Sequence, residues 1–284
     1  MIDLHTHSNR SDGSLAPAEL LSRAAAAGVL ALALTDHDSI DGLDEAWLAA
    51  AEQRITLVPG VEISACWRSQ AIHVLGLWID PGCARMRRAL ALQGARRRQR
   101  MQKLCAQLTK IGLPGAALHE AVLAQPGLPT RAHLARALVD GGHVARPDDA
   151  FKIYLGRGRA AQIAADWPPL EAVVGWIRAA GGCASLAHPM RYRLSSGARR
   201  RLLADFAAAG GESLEVVSGG NGAHQLEPCA ALAAQFGLRG SVGSDFHGPQ
   251  FPWNPLGRLA KLPHGVIPAW HGRGIEQAAE RLIP

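Results

Sequence analysis

Apolar and polar positions in the first eighty residues switch between short buried runs and stretches of helical spacing. Ile2 to His5 is a short apolar run that leads into a polar loop, His7 to Gly13. Leu20, Leu21, Ala24 and Ala27 then recur at helical spacing behind Pro17, which suits a first turn, and Gly28 ends the segment. Val29 to Thr35 reads as a second strand, Ile40 to Gln53 as a helix, and Ile55 to Ile63 and Ile72 to Ile79 as further strands. From about Gly82 the signal changes. Cys83 to Arg159 is mostly helical, with breaks at Gly112 to Gly115, Pro126 to Pro129 and Gly141 to Pro147. Alternation then resumes. Helices are predicted over Leu170 to Ala180, Ala198 to Ala209 and Gln225 to Phe236, and strands over Cys183 to Ala187, Leu214 to Val217 and Gly240 to Val242. The pattern predicts an α/β sheet wrapped by helices, open or closed into a barrel, formed by residues 1–83 and 169–284. Residues 84–168 form a helical insertion that interrupts it.

Composition narrows the class. Of 284 residues, 48% are hydrophobic and 19% charged, which excludes a disordered chain. No apolar run reaches the roughly 18 residues a membrane span needs. The start, Met-Ile-Asp-Leu-His, has no basic and then apolar leader. The expectation is a cytoplasmic protein with no membrane contact and no obligate protein partner. The net charge of +6 suits an anionic substrate. Lysine occurs only at 103, 110, 152 and 261, however, so an arginine-rich base composition accounts for part of that charge. Arg85, Arg87, Arg88, Arg96, Arg97, Arg98, Arg100 and Lys103 form a tract without an acidic residue. On a helix they point to several faces, which reads as a solvated surface, with a guide for a polyanion as the other reading. The five cysteines show no zinc-site or Cys-x-x-Cys spacing and read as reduced thiols. The tryptophans are scattered and offer no evident base-stacking platform.

The chemistry lies in the histidines and carboxylates. His5 and His7 face the same side of an extended chain and can reach one ion, and Asp12 follows in the next loop. The second strand ends in Thr35-Asp36-His37-Asp38, the third near Gly60-Val61-Glu62, and the fourth carries His73. After the insertion come Ala187-His188-Pro189 and Ser244-Asp245-Phe246-His247. Any one of these alone reads as a hydrogen-bonded structural side chain. Together, at or near the C-terminal ends of predicted strands, they read as a metal site on the face where parallel barrels build active sites. Imidazole with carboxylate suits zinc, manganese or iron.

These segments, with Asp3-Leu4-His5-Thr6-His7-Ser8 and Ser11-Asp12-Gly13 at their head, resemble in order the motifs of the polymerase and histidinol phosphatase (PHP) family. The resemblance implies a distorted (β/α)7 barrel with a site for two or three divalent metal ions. It implies that His5, His7, Glu62 and Asp245 hold the first ion. Glu62 bridges to a second, shared with His73 and His188, and Asp12, His37 and His247 hold a third. Several family members have histidine where this chain has Asp12. A carboxylate there favours a harder ion, so manganese is expected first, with zinc, iron or magnesium as alternatives. A hydroxide bridging the ions is the expected nucleophile. Asp36 and Asp38 are read as groups that support the ligands or relay a proton.

The chain has no Gly-x-Ser-x-Gly elbow and no P-loop, which disfavours a serine nucleophile and nucleotide-triphosphate switching. In the insertion, Thr130 is a predicted N-cap, and Arg131, His133, Arg157 and Arg159 are candidates for holding a phosphate. These cues resemble the insertion of the PHP group that acts on nucleoside 3',5'-bisphosphates and on the 5' ends of short RNA. The expected activity is removal of the 3'-phosphate from such bisphosphates, with release of 5'-nucleotides from short RNA at the same site. The expected partner is therefore a nucleotide or short RNA. Histidinol phosphatase or another small phosphomonoesterase, a polymerase-associated proofreading domain and a non-catalytic metal-binding regulatory module are the rival readings. Gly219 to Gly222 reads as a plain loop.

Overall fold

The computed structural model describes residues 1–164 and 166–275. The assignment of residue 165 to the insertion, and of 276–284 to the barrel, lies outside the described residues. Seven strands form one sheet in chain order: β1 (Ile2–Thr6), β2 (Ala31–Leu34), β3 (Thr56–Trp67), β4 (Gln70–Leu77), β5 (Cys183–Leu186), β6 (Ser213–Ser218) and β7 (Arg239–Gly243). The sheet curls into a nearly closed barrel. Where β1 and β7 end, Asp245 N–H donates to His5 O (2.8 Å) and His7 N–H to Phe246 O (2.9 Å). Gly243 permits this approach, because a Cβ there would lie 2.2 Å from His5 Cβ.

Neighbouring strands are parallel except around β4, which runs antiparallel to both β3 and β5. The cause is local. β3 and β4 are joined by a tight turn at Arg68–Ser69, with Arg68 at φ 55°, too short for a crossover helix. This corrects the expectation that every candidate ligand ends a strand. Glu62 lies midway along the 12-residue β3, and His73 lies in the first half of β4, opposite Ser64. Because β4 is reversed, its beginning reaches the same barrel mouth as the ends of its parallel neighbours.

Helices α1 (Pro17–Ala26) and α2 (Leu43–Gln53) cover one flank, where Leu20, Leu21, Leu34 and Leu43 share a small core. The second helix begins three residues later than Ile40, the start expected for it. Five helices follow β4: α3 (Ala84–Lys110), α4 (Gly115–Leu123), α5 (Arg131–Asp140), the short α6 (Pro147–Ala150), and α7 (Leu170–Ala179), which packs back on the barrel. Helices α8 (Ser196–Ala208) and α9 (Leu226–Gln235) complete the wrapping. The end of α3 packs with α4 and α5 around Leu104, Leu108, Leu118, Leu134 and Leu138. Its beginning belongs to the barrel core through Met86 and Leu90. No helix among the described residues is long and apolar enough to cross a membrane. All five cysteines are free thiols.

The basic side chains of α3 divide by direction. Arg97 is buried at 7% exposure and turned inward. Of the remaining basic side chains, Arg85, Arg88, Arg96, Arg100, Lys103 and Lys110 fall within about 120° of one another around the axis at about 100° per residue, and the exposed Arg87 and Arg98 lie on the opposite side. Six of the nine thus form a row, while the tract as a whole points to several faces as expected.

Candidate metal centre

Every candidate motif, at a strand end or, for Glu62 and His73, within a strand, delivers its side chain to the barrel mouth. His5, His7, Asp12, His37, Glu62, His188 and Asp245 are all buried. Three sets of donor atoms each lie within 4.8 Å of one another: His5, His7 and Asp245; His37, Glu62 and His73; and His7, Asp12, His37 and His247. The nine candidate ligands are thus brought together. The sharing differs in detail from the expected sets, since His7 also faces the Asp12 group and His37 also faces Glu62. His188 joins through its Nε2, 3.1 Å from Glu62 Oε1.

The arrangement is poor as a hydrogen-bond network and good as a cation cage. His5 Nε2 faces His7 Nε2 at 3.1 Å. His5 Nδ1 donates to Glu215 Oε1 (3.1 Å), which leaves Nε2 as a lone pair towards the mouth. His37 Nδ1 and Glu62 Oε2 approach to 2.8 Å, yet both lack a well-formed hydrogen bond, as do Asp12 Oδ1 and His7 Nδ1. Buried polar atoms are rarely left so, and a cation accepting their lone pairs satisfies them. The donor set of imidazoles and carboxylates therefore fits divalent metal binding. Asp38, His188 and Asp245 hold positive φ angles of 52°, 31° and 54°, a conformation that side chains other than glycine rarely adopt.

Charge in the cage is strongly redistributed. Burial and the neighbouring His247 push His7 down to about 3. Burial opposes charge on His247 as well, but Asp245 and Asp12 outweigh it and raise it to about 9. Burial likewise disfavours ionised Glu62 and Asp245, yet the surrounding imidazoles hold both well below the usual carboxylate range. The carboxylates are thus kept as anions, the form a metal requires.

Asp36 and Asp38 hold the frame of the site. Asp36 accepts from Ser8 N–H (2.8 Å), Ser8 Oγ (2.6 Å) and Ser11 Oγ (2.6 Å), and burial raises its carboxyl to about 6. Asp38 accepts from Ser64 N–H (2.8 Å), Gln93 Nε2 (3.0 Å) and Arg97 Nε (2.7 Å). It thereby ties α3 to the loop carrying His37.

Four further contributors went unread in the sequence. Glu215 lies on β6, fully buried, and also accepts from His188 N–H (2.5 Å). Its signal was a lone carboxylate within the apolar run Leu214 to Val217. Arg191, three residues after His188, donates to Asp245 Oδ2 and Gly219 O. Arg136 donates to Asp12 O (3.2 Å), and Tyr192 Oη accepts from His73 N–H (2.8 Å).

The insertion meets the mouth through its 125–130 segment. Leu128 N–H donates to Arg10 O (3.1 Å), and a Cβ on Gly127 would sit 2.5 Å from the Arg10 backbone. Thr130 caps α5 as expected, accepting from Ala132 N–H (3.1 Å) and His133 N–H (3.4 Å). His133 is corrected as a phosphate ligand. Its Nδ1 accepts from Thr130 N–H (3.1 Å) and its Nε2 bonds Pro126 O (3.1 Å), so both nitrogens are used within the fold. Arg131 opens α5 and lies over Phe151 at 5.6 Å. Arg157 and Arg159 are exposed, and among the described residues neither guanidinium is joined to the barrel mouth by an ion pair or hydrogen bond.

A family model described as the PHP domain matches residues 3–125. The chain is 45% identical over 268 residues to a protein named 5'-3' exoribonuclease from Haemophilus influenzae, covering 94% of this chain and 97% of that one. It is 39% identical over 272 residues to a 3',5'-nucleoside bisphosphate phosphatase from Chromobacterium violaceum, covering 95% of each. A solved structure of an amidohydrolase from Chromobacterium violaceum, holding sulfate and no metal, superposes with a TM-score of 0.89 at 39% identity, over 98% of this chain and 96% of that one.

Proposed function

The chain belongs to the PHP family and is a metal-dependent phosphohydrolase, and from that premise we propose that it removes the 3'-phosphate of nucleoside 3',5'-bisphosphates and releases 5'-nucleotides from the 5' ends of short RNA. The observation that carries the reading is the barrel mouth itself, where nine imidazole and carboxylate side chains converge and five of them, His7, Asp12, His37, Glu62 and His188, keep a buried atom without a hydrogen bond.

His5, His7, Glu62 and Asp245 would hold one divalent cation, Glu62, His73 and His188 a second, and Asp12, His37 and His247 a third, with manganese as the proposed ion. Bound divalent cations supply Lewis-acid charge to phosphoryl oxygens and lower the pKa of water towards neutrality. The chain's own residues set the geometry. Glu215 fixes the tautomer of His5 and orients His188 through its backbone. Arg191 holds the distal oxygen of Asp245, which leaves Oδ1, 3.3 Å from His5 Nε2, facing the cage. Asp36 and Asp38 lock the two loops that carry Asp12 and His37. Arg131, at the amino end of α5, is the proposed partner of the phosphate that stays on the nucleoside, with Arg157 and Arg159 as further candidates.

The test is a substrate panel with the manganese-loaded enzyme. A nucleoside 3',5'-bisphosphate and a 5'-phosphorylated oligoribonucleotide should be hydrolysed in preference to a nucleoside 3'-monophosphate. Preference for histidinol phosphate would overturn the substrate assignment.

A further inference from the structure

The α3 stripe is a second feature of the surface, separate from the ligand cage. Nine arginines and lysines and no acidic residue lie between Ala84 and Lys110. Only Arg97 is ion-paired among the described residues, to Asp38 at 2.7 Å. Arg85, Arg88, Lys103 and Lys110 are exposed, and Arg96 and Arg100 half-exposed, along one side of the helix, while Arg87 and Arg98 are exposed on the other. At about 1.5 Å per residue the stripe runs roughly 37 Å. Self-repulsion along such a row is unfavourable unless a polyanion lies on it.

The stripe has an aromatic edge and a route to the mouth. Arg96, Arg100, Lys103 and Trp167, with a single carboxylate, Asp166, line a small groove between α3 and the chain leading to α7. Arg97 and Arg100 stand over the Trp167 ring at 5.4 and 5.9 Å. Arg97 in turn touches Asp38, next to His37. Burial, followed by the charges of Arg131 and Arg97, lowers Arg100 to about 10, so these three guanidiniums sit within each other's fields. Positive charge therefore continues from the mouth, past Trp167, on to the outer side of α3. A basic row beside a half-exposed indole is the recognition chemistry of single-stranded nucleic acid, with phosphates on the cations and a base on the ring.

We propose that the outer side of α3 with Trp167 is a track for single-stranded RNA, holding the nucleotides downstream of the 5' end that enters the barrel mouth. The inference rests on the proposed action on RNA, and its test separates the two. In the double variant R96E/K103E, kcat/KM on a ten-nucleotide 5'-phosphorylated RNA should fall about 10-fold or more relative to kcat/KM on a nucleoside 3',5'-bisphosphate, which is too short to reach the stripe. The salt dependence of RNA cleavage should flatten by about 0.7 for each phosphate that the variant no longer neutralises. Trp167→Ala should lower the same ratio about 5-fold or more, and Trp167→Phe should restore most of it. Activity of each variant on the bisphosphate reports that it is folded. An unchanged ratio in both variants overturns the track. If the wild type hydrolyses neither substrate, the catalytic reading falls, and anisotropy of the same RNA, labelled, decides the track. Weaker binding by R96E/K103E supports it, and equal binding overturns it.

Discussion

Six histidines at the barrel mouth and His133 in the insertion differ in one respect that separates ligands from framework. At the mouth, His5 and His7 point ring nitrogens at each other at 3.1 Å, and His7, His37 and His188 each leave a buried nitrogen without a hydrogen bond. In the insertion, His133 has both nitrogens bonded within its own helix cap and the preceding loop. His133 is as buried as His5 and His7, while His73 and His247 are only partly buried, so burial does not mark function. An unspent lone pair in a crowd of lone pairs does, because an apoprotein keeps such a cluster only where an ion repays its cost.

The largest break in the comparison comes from the ligand shared most widely. Glu62→Ala should reduce kcat/KM by roughly a thousandfold or more, since it removes several kcal/mol of charge stabilisation. Metal content, read by elemental analysis, should fall by at least one equivalent. Asp12→Ala, at the margin of the cage, should cost less, and equal retention of activity in the two variants would contradict the ligand assignment.

Arg131→Ala tests the insertion's own contribution. It should lower kcat/KM on a nucleoside 3',5'-bisphosphate about 10- to 150-fold, the worth of a charge-assisted contact. It should cost little on the 3'-monophosphate, which lacks the second phosphate. A ratio between substrates that does not move would remove Arg131 from the site.

Glu215→Ala should weaken metal binding by about 10- to 100-fold, as loss of a group orienting a ligand imidazole does. Glu215→Gln should lie between variant and wild type, because its amide oxygen can still accept from His5 Nδ1–H. Metal affinity unchanged in the alanine variant would mean that Glu215 only fills space.

The smallest effect sharpens the other half of the comparison. Burial, followed by the charge of Arg136, holds His133 down at about 4, against about 6.5 for an ordinary histidine. As pH falls below 6.5 the unfolded chain takes up this proton first, so the stability from neutral His133 shrinks until pH reaches about 4. At pH 5 the loss should be about 2 kcal/mol. Thermal unfolding of wild type and His133→Gln at pH 7.5 and pH 5 measures it. The wild type should lose more Tm on acidification, and parallel losses would place His133 outside the helix cap.

The contrast also explains what the sequence made legible. Barrel strands, the cage and the Thr130 cap follow from local signals: apolar runs, histidines at their ends, and a threonine before a helix. The reversal of β4 was hidden because a two-residue turn at Arg68–Ser69 leaves little trace between two apolar runs. His133 looked like a ligand because spacing cannot show that Pro126 O and Thr130 N–H already occupy its nitrogens. The row on α3 is obscured by Arg87 and Arg98 on the opposite side and by Arg97, whose partner Asp38 lies 59 residues earlier. Glu215 and Arg191 act through tertiary contacts with His5 and Asp245, which no local pattern encodes.

The central claim is that the unspent donors at the mouth are a catalytic metal centre. Elemental analysis of purified protein, paired with phosphate release from a nucleoside 3',5'-bisphosphate before chelation, after it and after manganese is returned, tests that most directly. The account predicts two or three equivalents of divalent metal, loss of hydrolysis on chelation and recovery on reconstitution. Full activity in chelator, from protein carrying no stoichiometric metal, would contradict it.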